Sequence, residues 1–274
     1  MLKITAQQNA LVTEYIYNKC GINLSEKAYM VESKVGLECF LQHIPSFEEY
    51  WKQLSASGDA GEVLRQRLVD ALTTNYSYFY REEDHFQILS ALLAEGKIEG
   101  NDAGIRGWCA GCANGQEAYT LAMALEDASL AGLLKKPYSL QASDISQKAI
   151  KTAMAGQYSM SEYVRIPQNW RKAYMHVLPN GCEVRKSLRS KVNFKQENIL
   201  KKEQEIVNDS YDFIFCRNVL IYFDEPTYRR LFKVFWKSLV SKGFLFLGHT
   251  EIFTKVDGFE LIKPAVYRKV GVNE

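Results

Sequence analysis

From residue 104 onward, short apolar runs alternate with segments of helical spacing, and this alternation confines the chain to an α/β architecture. IRGWC, YSLQASD, VNFKQEN, YDFIFC and GFLFLG read as strands, separated by helices over 115–131, 146–155 and 226–241. Strands joined by crossover helices run parallel, so the pattern predicts a mostly parallel sheet with helices on both faces. YDFIFC is expected at the centre: five of its six residues are apolar or aromatic and the sixth is Asp212, as burial on both faces requires. It continues without a break into RNVLIYF, which puts Arg217, Asn218 and Tyr222 at a strand's carboxyl edge. Open α/β sheets hold their ligands there. After Gly248, FELI and AVYRK flank Lys263-Pro264 and predict a terminal hairpin.

The N-terminal part has a different period. Residues 5–70 show helical spacing, and Thr5 with Gln8 and Ser46 with Glu49 fit the capping-box start signal. The 274 residues therefore divide into a small all-helical domain with its linker, 1–85, and an α/β domain, 86–274, large enough for a sizeable core. Within the latter, Pro179-Asn180-Gly181 is a turn signal beside the strand-like EVRKSL and VNFKQ. Charge follows the same division. Residues 1–85 carry 8 basic and 12 acidic side chains, the rest 26 and 20, and the stretch 157–196 alone 8 and 2. The total of +2 demands neither nucleic acid nor an anionic membrane. No apolar run approaches 18 residues and the start is polar and amphipathic, so a soluble, cytoplasmic protein is expected.

Gly107, Gly111 and Gly115 lie between the first strand of the sheet and its following helix, where close backbone approach and a helix N-terminus favour a ligand. Asp144, about 33 residues after Gly111, ends the second strand. It can accept hydrogen bonds from both hydroxyls of a ribose, or cap the helix beginning near Ser146. Arg81 can hold a carboxylate in bidentate fashion, or pair with the Glu82-Glu83-Asp84 run after it. The cysteines at 20, 39, 109, 112, 182 and 216 do not form a disulfide framework. Cys109-Ala-Gly-Cys112 lacks two further ligands, and the histidines at 43, 85, 176 and 249 show no H-x-x-H pairing, so no metal site is expected.

Three segments, TTNYSYFYR at 73–81, GWCAGCANGQEAYTLAMAL at 107–125 and YDFIFCRNVLIYFD at 211–224, together resemble the chemotaxis receptor methyltransferases, the CheR family. The resemblance covers nearly the whole chain and identifies the α/β domain as a Rossmann-like S-adenosylmethionine methyltransferase domain. It implies that Asn75, Ser77 and Arg81 lie across the cofactor pocket from the helical domain. It also implies that Glu117 reaches the cofactor's methionine portion, that Asp144 holds the ribose, and that Asn198 and Ile199 meet the adenine. Asn218, Val219 and Tyr222 complete the pocket. After the glycine turn two positions depart from the family pattern, Gln116 where an acid is common and Ala118 where Pro is usual, and in the 73–81 segment Ser77 stands for Thr and Tyr80 for Phe.

The implied reaction moves a methyl group from S-adenosylmethionine to glutamate carboxylates of chemoreceptors, leaving S-adenosylhomocysteine. Such an acceptor is already ionised near neutral pH and needs orientation more than a base. Arg81 and Tyr222 are the expected catalytic residues, Arg81 orienting the carboxylate or the cofactor and Tyr222 fixing the attacking group. The expected partner is the cytoplasmic helical region of methyl-accepting receptors, met by a monomer. The resemblance also makes the segment at about 157–192 the small antiparallel β-subdomain that the family inserts, which contacts the receptor, in some members by gripping a tethering peptide; the short connection before EVRKSL counts against such a tether here. The second helix, with Lys27 and Lys34 against Glu32 and Glu38, lacks the basic face of many members. A nucleic-acid methyltransferase using the basic insert and a non-catalytic cofactor-binding adaptor are the alternatives.

Overall fold

The structure is a computed structural model that describes residues 2–204 and 210–271; Met1 and 272–274, at the ends of the two expected domains, lie outside them. The N-terminal unit comprises α1 (Ala6–Cys20), α2 (Ala28–Leu41), α3 (Phe47–Ser55) and α4 (Asp59–Leu72). Thr5 opens α1 with a reciprocal capping box: its Oγ1 accepts from Gln8 N, and its own N–H donates to Gln8 Oε1 at 2.8 Å. Ser46 Oγ caps α3 by accepting from Glu49 N. The four helices close on one apolar core running from Ile4 to Leu72. Phe79 and Phe86 belong to a different core, that of the sheet domain, so α5 (Asp84–Ala94), across the expected boundary at 85, packs with the sheet.

The sheet domain continues with β1 (Ile105–Ala110), α6 (Gln116–Leu130), β2 (Tyr138–Asp144) and α7 (Gln147–Ala155). The insert follows as β3 (Gln157–Tyr158), α8 (Met160–Tyr163), α9 (Gln168–Tyr174), β4 (Met175–Leu178), β5 (Gly181–Val184) and α10 (Lys186–Arg189). The main fold resumes with β6 (Val192–Gln196), β7 (Tyr211–Cys216), α11 (Glu225–Ser238), β8 (Leu239–Leu247), β9 (Phe259–Lys263) and β10 (Val266–Lys269). The large sheet has the order β6-β2-β1-β7-β8-β10-β9, parallel from β6 through β8, with β10 antiparallel to both its neighbours. Asp212, the polar residue of the central strand, is satisfied by the N–H of Arg106 on β1 at 2.7 Å. The order reverses between β1 and β7, which makes their carboxyl ends the expected ligand crevice.

The inserted sheet, β3-β5-β4, is antiparallel, and Pro179-Asn180 makes its turn. EVRKSL, however, is a strand only at Glu183-Val184. Lys186–Arg189 forms a helical turn in which Arg189 N bonds Arg185 O at 3.0 Å, and Gln157–Tyr158 supplies the third strand instead. Arg185 explains the break: its Nε donates to Met175 O and its Nη2 to Lys172 O, which turns the chain away from the sheet.

Candidate active site

The crevice at β1 and β7 is roofed by the helical unit, because the segment after α1 is tied to the loop after β7. Asn23 N donates to Tyr222 O at 2.9 Å, Ile22 and Phe223 form an isolated bridge, and Tyr17 Oη donates to Asp224 at 2.7 Å. Leu24 and Met30 thereby line one wall, and Gly111, Glu117, Asp144 and Val219 the other. At Gly111 (φ 78°) a Cβ would stand 2.5 Å from Val219 Cγ2, so the turn tolerates no side chain where it meets the RNVLIY loop.

Asp144 joins that turn to the end of β2. Its Oδ2 accepts from Ala113 N at 2.8 Å and its Oδ1 from Ser146 N at 2.9 Å. The cap of α7 is Ser146, whose Oγ accepts from Ala149 N, so Asp144 is not spent on that role. Burial pushes its carboxyl above the ordinary range even against the N–H groups of Ser146 and Ala113. A carboxylate has about four acceptor sites, so it keeps lone pairs for the crevice it lines.

Arg217 is the centre of the site's charge. Its side chain is 0% exposed and lies between two carboxylates. Nε and Nη2 donate to Glu82 Oε2 at 3.3 and 3.0 Å, while Nη1 stands 3.2 Å from Glu117 Oε2 without making a hydrogen bond. Nη2 also donates to Arg81 O. Phe86 and Phe215 flank the guanidinium at 5.4 and 6.0 Å. Burial raises the Glu117 carboxyl although Arg217 pulls the other way. For Glu82 burial also pushes upward, but Arg217 and Asn218 prevail and the carboxyl sits below its usual range.

The acidic run after Arg81 is divided by its backbone. Tyr80 and Glu82 both adopt left-handed φ, 62° and 53°, which costs non-glycine residues about 1–3 kcal/mol each. Arg81 consequently lines the crevice while Glu82 turns inward to Arg217. Asp84 reaches His249 Nε2 at 3.0 Å. The guanidinium of Arg81 makes only a 4.0 Å contact with Glu82 and lies 5.6 Å from the Tyr78 ring. The ion pair expected as its alternative role is thus weak. Asn75 and Ser77 line the same crevice, and Asn114 Nδ2 holds Asn75 O at 3.1 Å.

Tyr222 borders the crevice from the other side, with Lys27 Nζ 5.1 Å from its ring centre and no hydrogen bond from its hydroxyl among the described residues. Ile199 and Val219 supply apolar wall. Asn198 is there too, but its amide is already engaged: Nδ2 donates to Lys19 O at 2.8 Å and Oδ1 accepts from Leu200 N at 3.0 Å. Asn218, at φ 58°, donates through Nδ2 to Glu82 Oε1 at 3.3 Å.

Two residues to which the sequence assigned no place in the crevice hold this loop. Glu82 is one and Glu251 the other, a buried carboxylate that accepts from the N–H groups of Gly248, Asn218 and Ile221 at 2.7, 2.8 and 3.2 Å. Glu251 stands four residues past the apolar end of β8, as Asp144 closes β2, and a search for acids at strand ends would have found it. Glu82, His85 and His249 lie close enough to suggest a metal ligand set. Glu82 Oε2 already accepts three N–H groups, two from Arg217 and one from His249, and a fixed guanidinium beside it opposes a cation. Cys109 and Cys112 are separate buried thiols pushed well upward by burial; Cys109 donates to Glu117 Oε1 at 3.3 Å.

Two family models match the chain: the CheR methyltransferase all-alpha domain over residues 9–73 and the CheR methyltransferase SAM-binding domain over 75–267. The chain is 32% identical to the chemotaxis protein methyltransferase of Borreliella burgdorferi, over 98% of this chain and 96% of that protein. It is 36% identical to chemotaxis protein methyltransferase 2 of Pseudomonas aeruginosa, over 88% and 85% of the two chains. With the chemotaxis protein methyltransferase of Salmonella typhimurium it shares 32% identity over 93% and 88%.

Proposed function

The chain belongs to the CheR methyltransferase family and is an S-adenosylmethionine-dependent methyltransferase, and we propose from that premise that its acceptors are glutamate carboxylates of bacterial chemoreceptors, modified in chemotaxis adaptation. The observation that carries this reading is that Arg81 and Tyr222 line one crevice and that neither the guanidinium nor the hydroxyl makes a hydrogen bond among the described residues. The residues present fit the cofactor: Glu117 for its amino group, Asp144 for the ribose, Ile199 and Val219 for the adenine. When bound, the cofactor supplies an electrophilic methyl on a sulfonium.

The protein's part is positioning. Arg81 has five donors, enough to hold the cofactor's carboxylate on one edge and steer an incoming carboxylate with another. Tyr222, pinned through its backbone to Asn23, offers a hydroxyl that fixes the attacking oxygen. In-line approach at roughly 3–3.5 Å and exclusion of water then suffice, since a glutamate needs no deprotonation. Labelled methyl transfer to receptor-containing membranes tests this reading: the product should release methanol in base, and a base-stable product would overturn it. No helix among the described residues is long and apolar enough to cross a membrane, in keeping with the cytoplasmic setting that belongs to this reading.

The basic side chains of the insert keep their charge but differ in how freely they can move toward a partner. Arg185 and Arg189 donate to backbone carbonyls, and Arg165, Arg171 and Lys191 lie over tyrosine rings. Lys172 and Lys186 are exposed and held by neither kind of contact, which leaves their ammonium groups free to reach an acidic receptor helix. Reversing both to Glu should raise the apparent KM for receptor about two- to tenfold, more at low salt, because the ~8 Å Debye length of physiological salt screens exposed charge. Cofactor affinity should stay unchanged. A KM shift equal at two salt concentrations would sink the electrostatic account.

A further inference from the structure

Arg217 carries a full charge at a position with no solvent, one guanidinium edge away from the carboxylate assigned to the cofactor. A buried cation of this kind needs compensation, and Glu117 alone would supply it by giving up its lone pairs. The geometry avoids that. Both directed hydrogen bonds to a carboxylate side chain, from Nε and Nη2, go to Glu82, whereas Nη1 approaches Glu117 Oε2 without hydrogen-bond geometry. The only hydrogen bond Glu117 accepts among the described residues comes from Cys109, and on its other oxygen. Glu117 lines the crevice; Glu82 stands behind Arg217 and is itself fixed by Asn218 Nδ2 and His249 N.

We propose that Glu82 is a positioning residue for cofactor binding: by satisfying Arg217 from behind, it leaves the Glu117 carboxylate directed at the cofactor's α-ammonium. Arg217 then spends its directed carboxylate hydrogen bonds on Glu82 and keeps only an ion contact with Glu117, so Glu117 can turn its lone pairs to the ammonium while Arg81 takes the cofactor's carboxylate. Without the Glu82 charge, Arg217 turns to Glu117 and competes with the ligand. The left-handed backbone at Tyr80 and Glu82 is the local cost of placing Arg81 and Glu82 on opposite sides of one peptide.

The inference rests on the reading of Glu117 as the amino-group partner, and the test separates the two. Glu82→Gln and Glu82→Asp in the full-length protein are titrated calorimetrically with S-adenosylhomocysteine, its deamino analogue and 5′-methylthioadenosine, with melting temperatures recorded. The parent should bind S-adenosylhomocysteine more tightly than the deamino analogue. Glu82→Gln should weaken S-adenosylhomocysteine about ten- to a hundredfold, the range of a lost charge-assisted partner, while the other two ligands change less than about twofold. Glu82→Asp, which keeps the charge at shorter reach, should recover part of the loss, and it supplies the same comparison if the Gln variant does not fold. An equal loss for all three ligands, or none for S-adenosylhomocysteine, overturns the proposal. Equal affinity of the parent for S-adenosylhomocysteine and its deamino analogue overturns the Glu117 assignment, and this inference with it.

Discussion

Replacing Arg81 by Ala should lower kcat for methyl transfer by about a hundred- to a thousandfold, and replacing Tyr222 by Phe by about tenfold. The first figure follows from losing two charge-assisted hydrogen bonds at ~1.5–3 kcal/mol each, part of that sum being common to ground and transition states; the second follows from losing one hydroxyl bond to the attacking carboxylate, also ~1.5–3 kcal/mol, of which a larger part is common to both states because that oxygen loses charge as the methyl transfers. Tyr222→Phe should keep its position, because what holds the residue is its backbone bond to Asn23 and the packing of its ring against the helical core. Only the hydroxyl is lost, so cofactor affinity should remain near the parent value. Arg81→Lys should not restore the rate, since an ammonium cannot reproduce a planar fork. Single-turnover rates measured beside cofactor affinities separate chemistry from binding. Parent rates in both variants would place the chemistry elsewhere.

The crevice was legible where side-chain chemistry and strand ends coincide. YDFIFC announces a buried central strand by composition alone, and Asp144, Asn218 and Tyr222 follow from where such strands stop. Glu117 was legible only through the resemblance, because a helix-start glutamate is ordinary without the Arg217 that lies beside it. Glu82 was read as one of three acids in a surface run, and nothing in Glu82-Glu83-Asp84 reveals that a left-handed φ of 53° at Glu82 divides them. Backbone conformation of that kind is selected by tertiary contacts, here the buried guanidinium, and leaves no periodic trace. Within the insert, whose antiparallel sheet is present, only EVRKSL departs from expectation, for a related reason: it has strand propensity, but hydrogen bonds from Arg185 to Met175 O and Lys172 O outweigh it, as tertiary context often does for β-propensity.

Asp144→Ala should weaken S-adenosylmethionine binding by about a hundredfold or more. Two ribose hydroxyls lose a charged acceptor, at ~1.5–3 kcal/mol per bond, and the turn loses its tie, since Ala113 N and Ser146 N both donate to the missing carboxylate. The second effect should also lower the melting temperature, so affinity is compared at a temperature where both proteins are folded. Binding has a pH signature as well. Burial holds the Asp144 and Glu117 carboxyls above their ordinary values in the free protein, and each must be ionised to receive its part of the cofactor. Affinity should therefore be full above those raised values and decline as pH falls through them, at a higher pH than exposed carboxylates would give. In Asp144→Ala and Glu117→Gln that decline should become shallower, by one proton each. An affinity independent of pH in the parent, or one that strengthens as pH falls, would show that neither carboxylate meets the ligand in its charged form.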